Sequence, residues 1–159
     1  MSDAKNDFWD RVDDVQAGML GLEKDGKLVP MSPNLRKTRD GKIWFIAADG
    51  EEIVSDTSAN PQKGRFVVAD AKSGLYANVE GELSQSSDKA VLDEIWNVVA
   101  SAWFEDDKQD SDLRLLCFTP STAAAWFSTT SSAKFLYEIA KANITGAEPD
   151  AGYQAHLTF

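Results

Sequence analysis

Cysteine and histidine are nearly absent from this chain of 159 residues, which contains only Cys117 and His156. A single cysteine excludes an intramolecular disulfide, and these two side chains cannot supply the ligands of a structural zinc site. A Ser-His-Asp or Cys-His hydrolase would have to use His156, three residues before the end of the sequence. We therefore expect neither a zinc centre nor a catalytic triad.

Basic residues are also scarce, since 16 Lys and Arg stand against 26 Asp and Glu, for a formal net charge of −10. Nucleic acids and anionic membranes select clustered basic residues, so we expect neither as a partner. The apolar runs fall far short of the ~20 residues that a membrane helix needs. The segment 1–7 is polar, without the apolar stretch of a secretory signal, so the expected location is the cytoplasm. Neither a dinucleotide-binding GxGxxG turn nor a P-loop occurs.

Apolar residues make up 43% of the chain, which is enough for a substantial core. At this length we expect a single domain over residues 1–159. Its core would cover about residues 8–146, followed by a polar tail at 147–159.

Alternating apolar residues between turn signals predict seven short strands. They cover residues 19–23, 28–34, 43–47, 65–70, 76–83, 113–119 and 123–129. Helical spacing and capping residues predict four helices. The first covers 7–16, a short second begins at Asp49, the third follows Ser87 or Asp88, and the last runs from Ser132 to Gly146. Hairpin-like succession predicts a mainly β fold, an antiparallel Greek-key-like barrel with flanking helices.

The acidic segment with Asp106, Asp107, Asp110 and Asp112 lacks the glycine and the distal glutamate of an EF-hand loop. We interpret it as a solvated loop and predict no metal site. Cys117 lies among apolar neighbours, which favours a buried side chain over a reactive thiolate.

The five tryptophans are the most informative side chains. Trp44 is expected in the core, on a strand. Trp96 and Trp103 are seven residues apart, so a helix would place them on one face, covering the barrel or a partner subunit. Trp126 precedes the polar run 128–132, and it could wall a planar ligand or belong to an ordinary core.

Several local runs resemble the general stress protein branch of the pyridoxamine 5′-phosphate oxidase-like FMN-binding split barrels. The residues that carry the resemblance are the segments 15–20, Val29-Pro30-Met31, Trp44-Phe45-Ile46, Ser58-Ala59-Asn60-Pro61, 93–97, 102–104, 115–120 with Trp126, and 144–150. The resemblance covers about residues 8–150 and implies a split β-barrel of the FMN-binding type.

The resemblance also implies a homodimer with two FMN sites at the subunit interface. It places the flavin ring system against Pro30 and Met31 on one strand and against the strand Phe45-Ile46-Ala47-Ala48. It makes Trp103 and Trp126 candidate aromatic walls.

The sequence departs from this family where the FMN phosphate is usually held. The family's arginine, its Thr-Ser pair and its lysine correspond to Val29, to Ala47-Ala48 and to Ile53. Asp49, Glu51 and Glu52 add negative charge at the same place, which disfavours an anion there. Lys63 and Arg65 are the candidate replacements.

Two functions follow from the resemblance and its departures. The first is an FMN-binding general stress protein with an oxidoreductase-like role, in which the flavin carries the redox chemistry. Oxidation of pyridoxamine phosphate itself is not expected, because the chain lacks a second cluster of arginines. The alternative is a dimeric, non-enzymatic stress or binding module that has lost FMN, since its phosphate-binding residues are missing.

Overall fold

The computed structural model describes residues 3–96 and 111–159. These residues form four helices and seven strands in an order typical of a mainly β protein. The helices are α1 (Asp3–Val12), α2 (Glu52–Thr57), α3 (Lys89–Ile95) and α4 (Ser132–Thr145). The strands are β1 (Gly18–Leu22), β2 (Leu28–Met31), β3 (Ile43–Ala48), β4 (Gln62–Asp70), β5 (Leu75–Ser86), β6 (Leu113–Ser128) and β7 (Gly152–Thr158).

All seven strands belong to one antiparallel sheet with the order β2-β1-β4-β5-β6-β3, and β7 also pairs with β6. In the described part of the chain no ladder joins β2 to β3, and the sheet stays open between them. Asn34, three residues beyond β2, makes an isolated bridge with Trp44 of β3. The predicted split antiparallel barrel with flanking helices is confirmed.

Strand β6 is longer than the sequence predicts, because the expected strands 113–119 and 123–129 are one continuous element. The intervening residues, which include Pro120, suggested a turn. The structure instead has a register shift in β5 between Glu80 and Gly81, where β6 passes opposite. A Cβ at Gly81 would collide with the carbonyl oxygen of Thr119, so this close approach of two backbones requires glycine.

The barrel interior holds the main core, built around five almost fully buried phenylalanines. They are Phe8, Phe45, Phe66, Phe118 and Phe127. A second apolar cluster lies on the other side of β3 and β6, where α3 covers them. Its buried members are Trp44, Val91, Ile95, Leu115 and Cys117. Both the expected burial of Trp44 and that of Cys117 are confirmed.

The predicted polar tail is wrong for the last residues, which form β7 along the second half of β6. Leu157 of this strand lies in the main core, and the ring of Phe159 lies 5.2 Å from that of Phe8 and 5.6 Å from that of Trp9. The prediction failed because polar residues separate the apolar ones, so that only every second side chain of this segment lies on the core-facing side.

The predicted helices exist, with shifted ends. α1 begins before the expected residue 7, and Glu51 rather than Asp49 precedes α2, without a side-chain cap. Asp88 caps α3 by accepting from the backbone N–H groups of Ala90 and Val91, as predicted. Ser131, not Ser132, caps α4, and Gly146 ends it with a φ of 71°.

The predicted helical face shared by Trp96 and Trp103 is wrong at Trp96. This residue has an extended backbone (φ −60°, ψ 136°) and follows the end of α3. Trp103 and most of the predicted acidic loop lie outside the described residues. Among the described helices, none combines the length and apolar character of a membrane span.

Candidate functional site

The candidate site is centred on β3, whose side chains alternate between the barrel interior and the opposite side. Phe45 is fully buried against Phe66, with ring centroids 5.2 Å apart, and Ala47 is also buried. Ile46 and Ala48 point the other way and are half-buried. Of the four β3 residues predicted at the site, Ile46 and Ala48 therefore have partly accessible side chains, while Phe45 and Ala47 shape the strand from inside.

The free edge of β3 also offers backbone groups. Trp44 exchanges two backbone hydrogen bonds of 2.9 Å with Asn34, on the side of β3 that faces away from β6. On the same side, the N–H of Ala48 points to a Glu51 carboxylate oxygen 3.5 Å away. Because successive residues of a strand alternate in direction, the N–H and C=O of Ile46 lie on this edge too.

Pro30 and Met31 lie on β2, the edge strand at the other end of the sheet order. Pro30 is exposed and Met31 is buried, and the register places them opposite Met19 and Gly18 of β1. An edge position suits Pro30, because proline cannot donate to a second ladder. The segment after β2 returns to β3 at Asn34, so one connection joins the two predicted parts of the site.

The positions aligned with the family's phosphate-binding residues are apolar, and they differ in accessibility. Val29 is 38% exposed on β2. Ile53, in contrast, is 7% exposed and belongs to the main core, so a charge at residue 53 would be buried.

Carboxylates of α2 form ion pairs with two lysines of the turn that joins β1 to β2. Lys27 Nζ lies 3.1 Å from Glu52 Oε1, and Lys24 Nζ lies 2.9 Å from Asp56 Oδ1. The hydrogen bond to Glu52 and the charge of its carboxylate raise the pKa of Lys27. Asp25, Glu52 and Asp56 bring carboxylate oxygens within 4.8 Å of one another, and the two lysines offset their charge. The group is an exposed ion-pair cluster.

Arg114 is the residue at this end of β3 that sequence reasoning missed. It lies on β6 directly opposite Ala47, and its Nη2 is 3.2 Å from Asp49 Oδ2. Its Nη1 donates to the carbonyl oxygens of Ser111 (2.7 Å) and Leu113 (2.9 Å). In the sequence, Arg114 stands out only as the one charged residue in a strand of apolar and small residues. Its position beside β3 depends on the pairing of β6 with β3, which the sequence does not reveal.

An open cleft of about 940 Å³ lies beside Arg114, between α3 and the adjoining ends of β5 and β6. Its polar lining includes Gln85, Ser86, Lys89 and Arg114. Gln85 donates to the carbonyl oxygen of Val54, which ties β5 to α2. The cleft and the β3–α2 loop thus share Arg114.

The two tryptophans predicted at the site do not lie beside β3 within the part of the chain that the structure describes. Trp126 is 46% exposed on β6, across from Tyr76, in the half of the strand that pairs with β7 rather than with β3. Within one protomer the structure therefore does not place Trp126 beside β3. Trp103 lies outside the described residues.

Lys63 and Arg65, the candidate replacements for the missing phosphate ligands, lie on β4, which is not adjacent to β3. Arg65 donates to Glu23 (2.7 Å) and Glu80 (2.8 Å) and also contacts Asn78, so its guanidinium bridges β1 and β5. Lys63 is exposed on the same strand.

The single cysteine and the single histidine lie apart from each other. Cys117 is on β6 opposite Trp44, where it is buried beneath α3, and burial raises the pKa of its thiol. His156 is exposed on β7, opposite Ala124.

Comparisons with known proteins agree with this architecture. Residues 3–150 match the family model described as pyridoxamine 5′-phosphate oxidase like. A search of functionally curated proteins found no match.

Several solved structures are similar to this chain. A protein assigned as general stress protein 26 from Jannaschia sp. CCS1 is 46% identical over 100% of both chains, with a TM-score of 0.95. A general stress FMN/FAD binding protein from Xanthomonas citri is 27% identical, covering 78% of this chain and 88% of that one, with a TM-score of 0.69. A general stress family protein from Xanthomonas campestris pv. campestris is 29% identical, covering 82% and 93%, with a TM-score of 0.70. The chain belongs to the pyridoxamine 5′-phosphate oxidase-like family.

Proposed function

We propose that this protein is a flavin-binding general stress protein that works as a homodimer. The observation that carries the proposal is the fold it shares with the FMN/FAD-binding general stress protein of Xanthomonas citri. The open edge of β3 and the neighbouring β2 supply a surface on which a flat ring system can lie.

The flavin ring system would lie against the free edge of β3 at Ile46 and Ala48, with Pro30 and Met31 at its border. An isoalloxazine carries hydrogen-bond donors and acceptors on its pyrimidine edge. The backbone N–H and C=O of Ile46, on the open edge of β3, have the complementary chemistry. The bound flavin supplies the redox chemistry, and the chain contributes position and electrostatics.

The phosphate of FMN meets fewer cations than the family resemblance implies. Val29 and Ala48 offer no charge, Ile53 is inside the core, and Lys27 is paired with Glu52. We therefore expect a smaller gain of FMN over riboflavin than a full set of phosphate ligands would give, since both flavins make the same ring contacts. The loss of phosphate ligands is also what favours the second candidate function, a dimeric stress module that no longer binds flavin.

Titration with riboflavin and with FMN separates the two candidate functions. Each flavin is titrated with the purified protein while its fluorescence is followed, and the titration is repeated with protein unfolded in urea. We expect saturable quenching of both flavins by the native protein only, at one flavin per chain. If neither flavin is quenched, flavin binding is refuted and the non-enzymatic module stands.

The homodimer is supported by the exposed side of α4. Leu136, Tyr137 and Ile144 are 66%, 63% and 85% exposed on this helix, whereas Glu138 is buried and accepts from the backbone N–H of Asp150. A surface helix of a monomer usually buries its apolar side chains and exposes its charged ones. An apolar stripe of this kind fits a protein interface.

The charges of α4 favour a second copy of this chain as the partner. Its exposed charged side chains, Lys134 and Lys141, are both basic, and its one acidic residue is the buried Glu138. The chain as a whole carries a net charge of −10, so a surface with basic charges and no exposed acidic ones is where two copies repel each other least.

A further inference from the structure

Arg114 is the one charged residue of β6, whose other residues are apolar or small. Its Cα pairs with that of Ala47, so it is the cross-strand neighbour of the residues that replace the family's Thr-Ser pair. Its guanidinium reaches the loop that joins β3 to α2, where Asp49 lies 3.2 Å away. A cation is therefore present at the phosphate end of the candidate site, on a strand other than the two that the resemblance indicates.

Among the described residues, the guanidinium contacts two backbone carbonyl oxygens and one carboxylate. Hydrogen bonds to the carbonyl oxygens of Ser111 and Leu113 fix one nitrogen, and the ion pair with Asp49 uses another. Both members of the ion pair are partly exposed, at 33% and 52% of their side chains. An exposed ion pair contributes little to stability, so exchanging Asp49 for a ligand costs little.

The other described cations near α2 are less suited to this role. Lys24 and Lys27 each pair with a carboxylate of α2 itself, and a lysine offers a point charge rather than a planar fork. Arginine binds phosphate oxygens with two parallel hydrogen bonds, and such charge-assisted bonds are about twice as strong as neutral ones. Asp49 carries one negative charge, whereas a flavin phosphate carries nearly two near neutral pH.

We propose that Arg114 holds the phosphate of FMN in this protein and that Asp49 competes for the same guanidinium. The inference rests on the proposed flavin binding and adds the residue that determines the preference for FMN over riboflavin. Phosphate recognition has then moved from β2 and α2 to β6, next to the cleft whose lining includes Lys89 together with the carboxylates of Asp88 and Asp93.

The test measures FMN and riboflavin dissociation constants for the wild type and three variants. Arg114→Gln keeps a polar side chain but removes the guanidinium and its charge, and it should weaken FMN about tenfold, the loss of one charge-assisted hydrogen bond, with riboflavin unchanged. Asp49→Asn removes the competing carboxylate and should tighten FMN selectively. Arg39→Gln is the matched control, because it removes an arginine of similar exposure that pairs with Asp10 of α1, and it should change neither constant.

The outcomes distinguish this inference from the proposed function. If the wild type binds flavins and Arg114→Gln leaves the ratio of the two constants unchanged, the phosphate is held elsewhere and the inference is wrong. If Arg114→Gln weakens both flavins equally, Arg114 acts on the ring site or the fold, which also overturns the inference. If the wild type binds neither flavin, the proposed function fails and the inference fails with it.

Discussion

At the residue scale, the candidate site differs from an anion site in how its charges are compensated. Each described cation near α2 already has a carboxylate partner: Lys24 has Asp56, Lys27 has Glu52, and Arg114 has Asp49. Because these pairs are partly exposed, their Coulomb energies are small and solvent screens them. A phosphate therefore competes with local carboxylates rather than filling an uncompensated positive pocket.

Restoring one cation on β2 is expected to restore affinity for FMN. Val29 is 38% exposed, so the variant Val29→Arg with Ala48→Ser adds an arginine and a hydroxyl without entering the core. Position 53 is left unchanged, since Ile53 is buried. We expect the dissociation constant of FMN to fall about tenfold, from one new charge-assisted hydrogen bond, while that of riboflavin stays constant.

The control for this variant is Leu28→Arg with Ala48→Ser. Leu28 has the same 38% exposure as Val29, and strand alternation points it to the other face of β2. The control adds equal charge and should leave FMN binding unchanged. A gain for riboflavin in the Val29 variant, or an equal FMN gain in the Leu28 control, would contradict a phosphate held beside Val29.

At the scale of elements, α1 is fastened to the sheet by Arg11. Its Nη1 donates to the carbonyl oxygens of Ser73, Gly74 and Ser128, at 3.3, 3.0 and 2.7 Å. Its Nε donates to Asp7, which also accepts from the hydroxyl of Tyr153. Burial and the neighbouring Asp7 carboxylate raise the pKa of Tyr153 to about 12. One arginine thus joins α1 to the β4–β5 turn and to the end of β6.

The elements that the sequence predicts well are those with strong local signals. Gly26 and Gly41 have positive φ in the connections between predicted strands, and the continuous apolar run of β3 and the alternating residues of β4 and β5 fold as strands. Local signals fail where the deciding partner is distant along the chain. β7 depends on pairing with β6, and the place of Arg114 depends on the register between β6 and β3. The resemblance indicated β2 and β3 for the candidate site, and only the fold could add Arg114.

The closing strand β7 should contribute strongly to stability through Leu157. This side chain is 5% exposed within the main core, so Leu157→Ala leaves a cavity. We expect the free energy of unfolding to fall by about 2–5 kcal/mol, measured by urea denaturation. His156→Ala removes the exposed neighbouring side chain and should change it by about 0.5 kcal/mol or less. Equal, small effects of both substitutions would show that 152–158 behaves as the polar tail that the sequence suggested.

At the scale of the whole molecule, the apolar surface is distributed unevenly. The barrel encloses its phenylalanines, yet α4 turns Leu136 and Ile144 to solvent and a glutamate inward. Leu136 and Ile144 are eight residues apart and so lie on one stripe of the helix. A chain with a net charge of −10 resists non-specific association by repulsion, which leaves a specific apolar contact as the means of the proposed dimerisation.

We therefore expect the protein to have about twice its chain mass of 17.4 kDa in solution by light scattering. An aspartate on the exposed stripe would have to be desolvated in the interface, so Leu136→Asp and Ile144→Asp should each shift the protein toward monomer. Asn6→Asp places the same charge on an exposed position of α1 and should leave the dimer intact. A monomeric wild type at micromolar concentration would refute the homodimer. A dimer that survives both α4 substitutions would show that its interface lies on another surface.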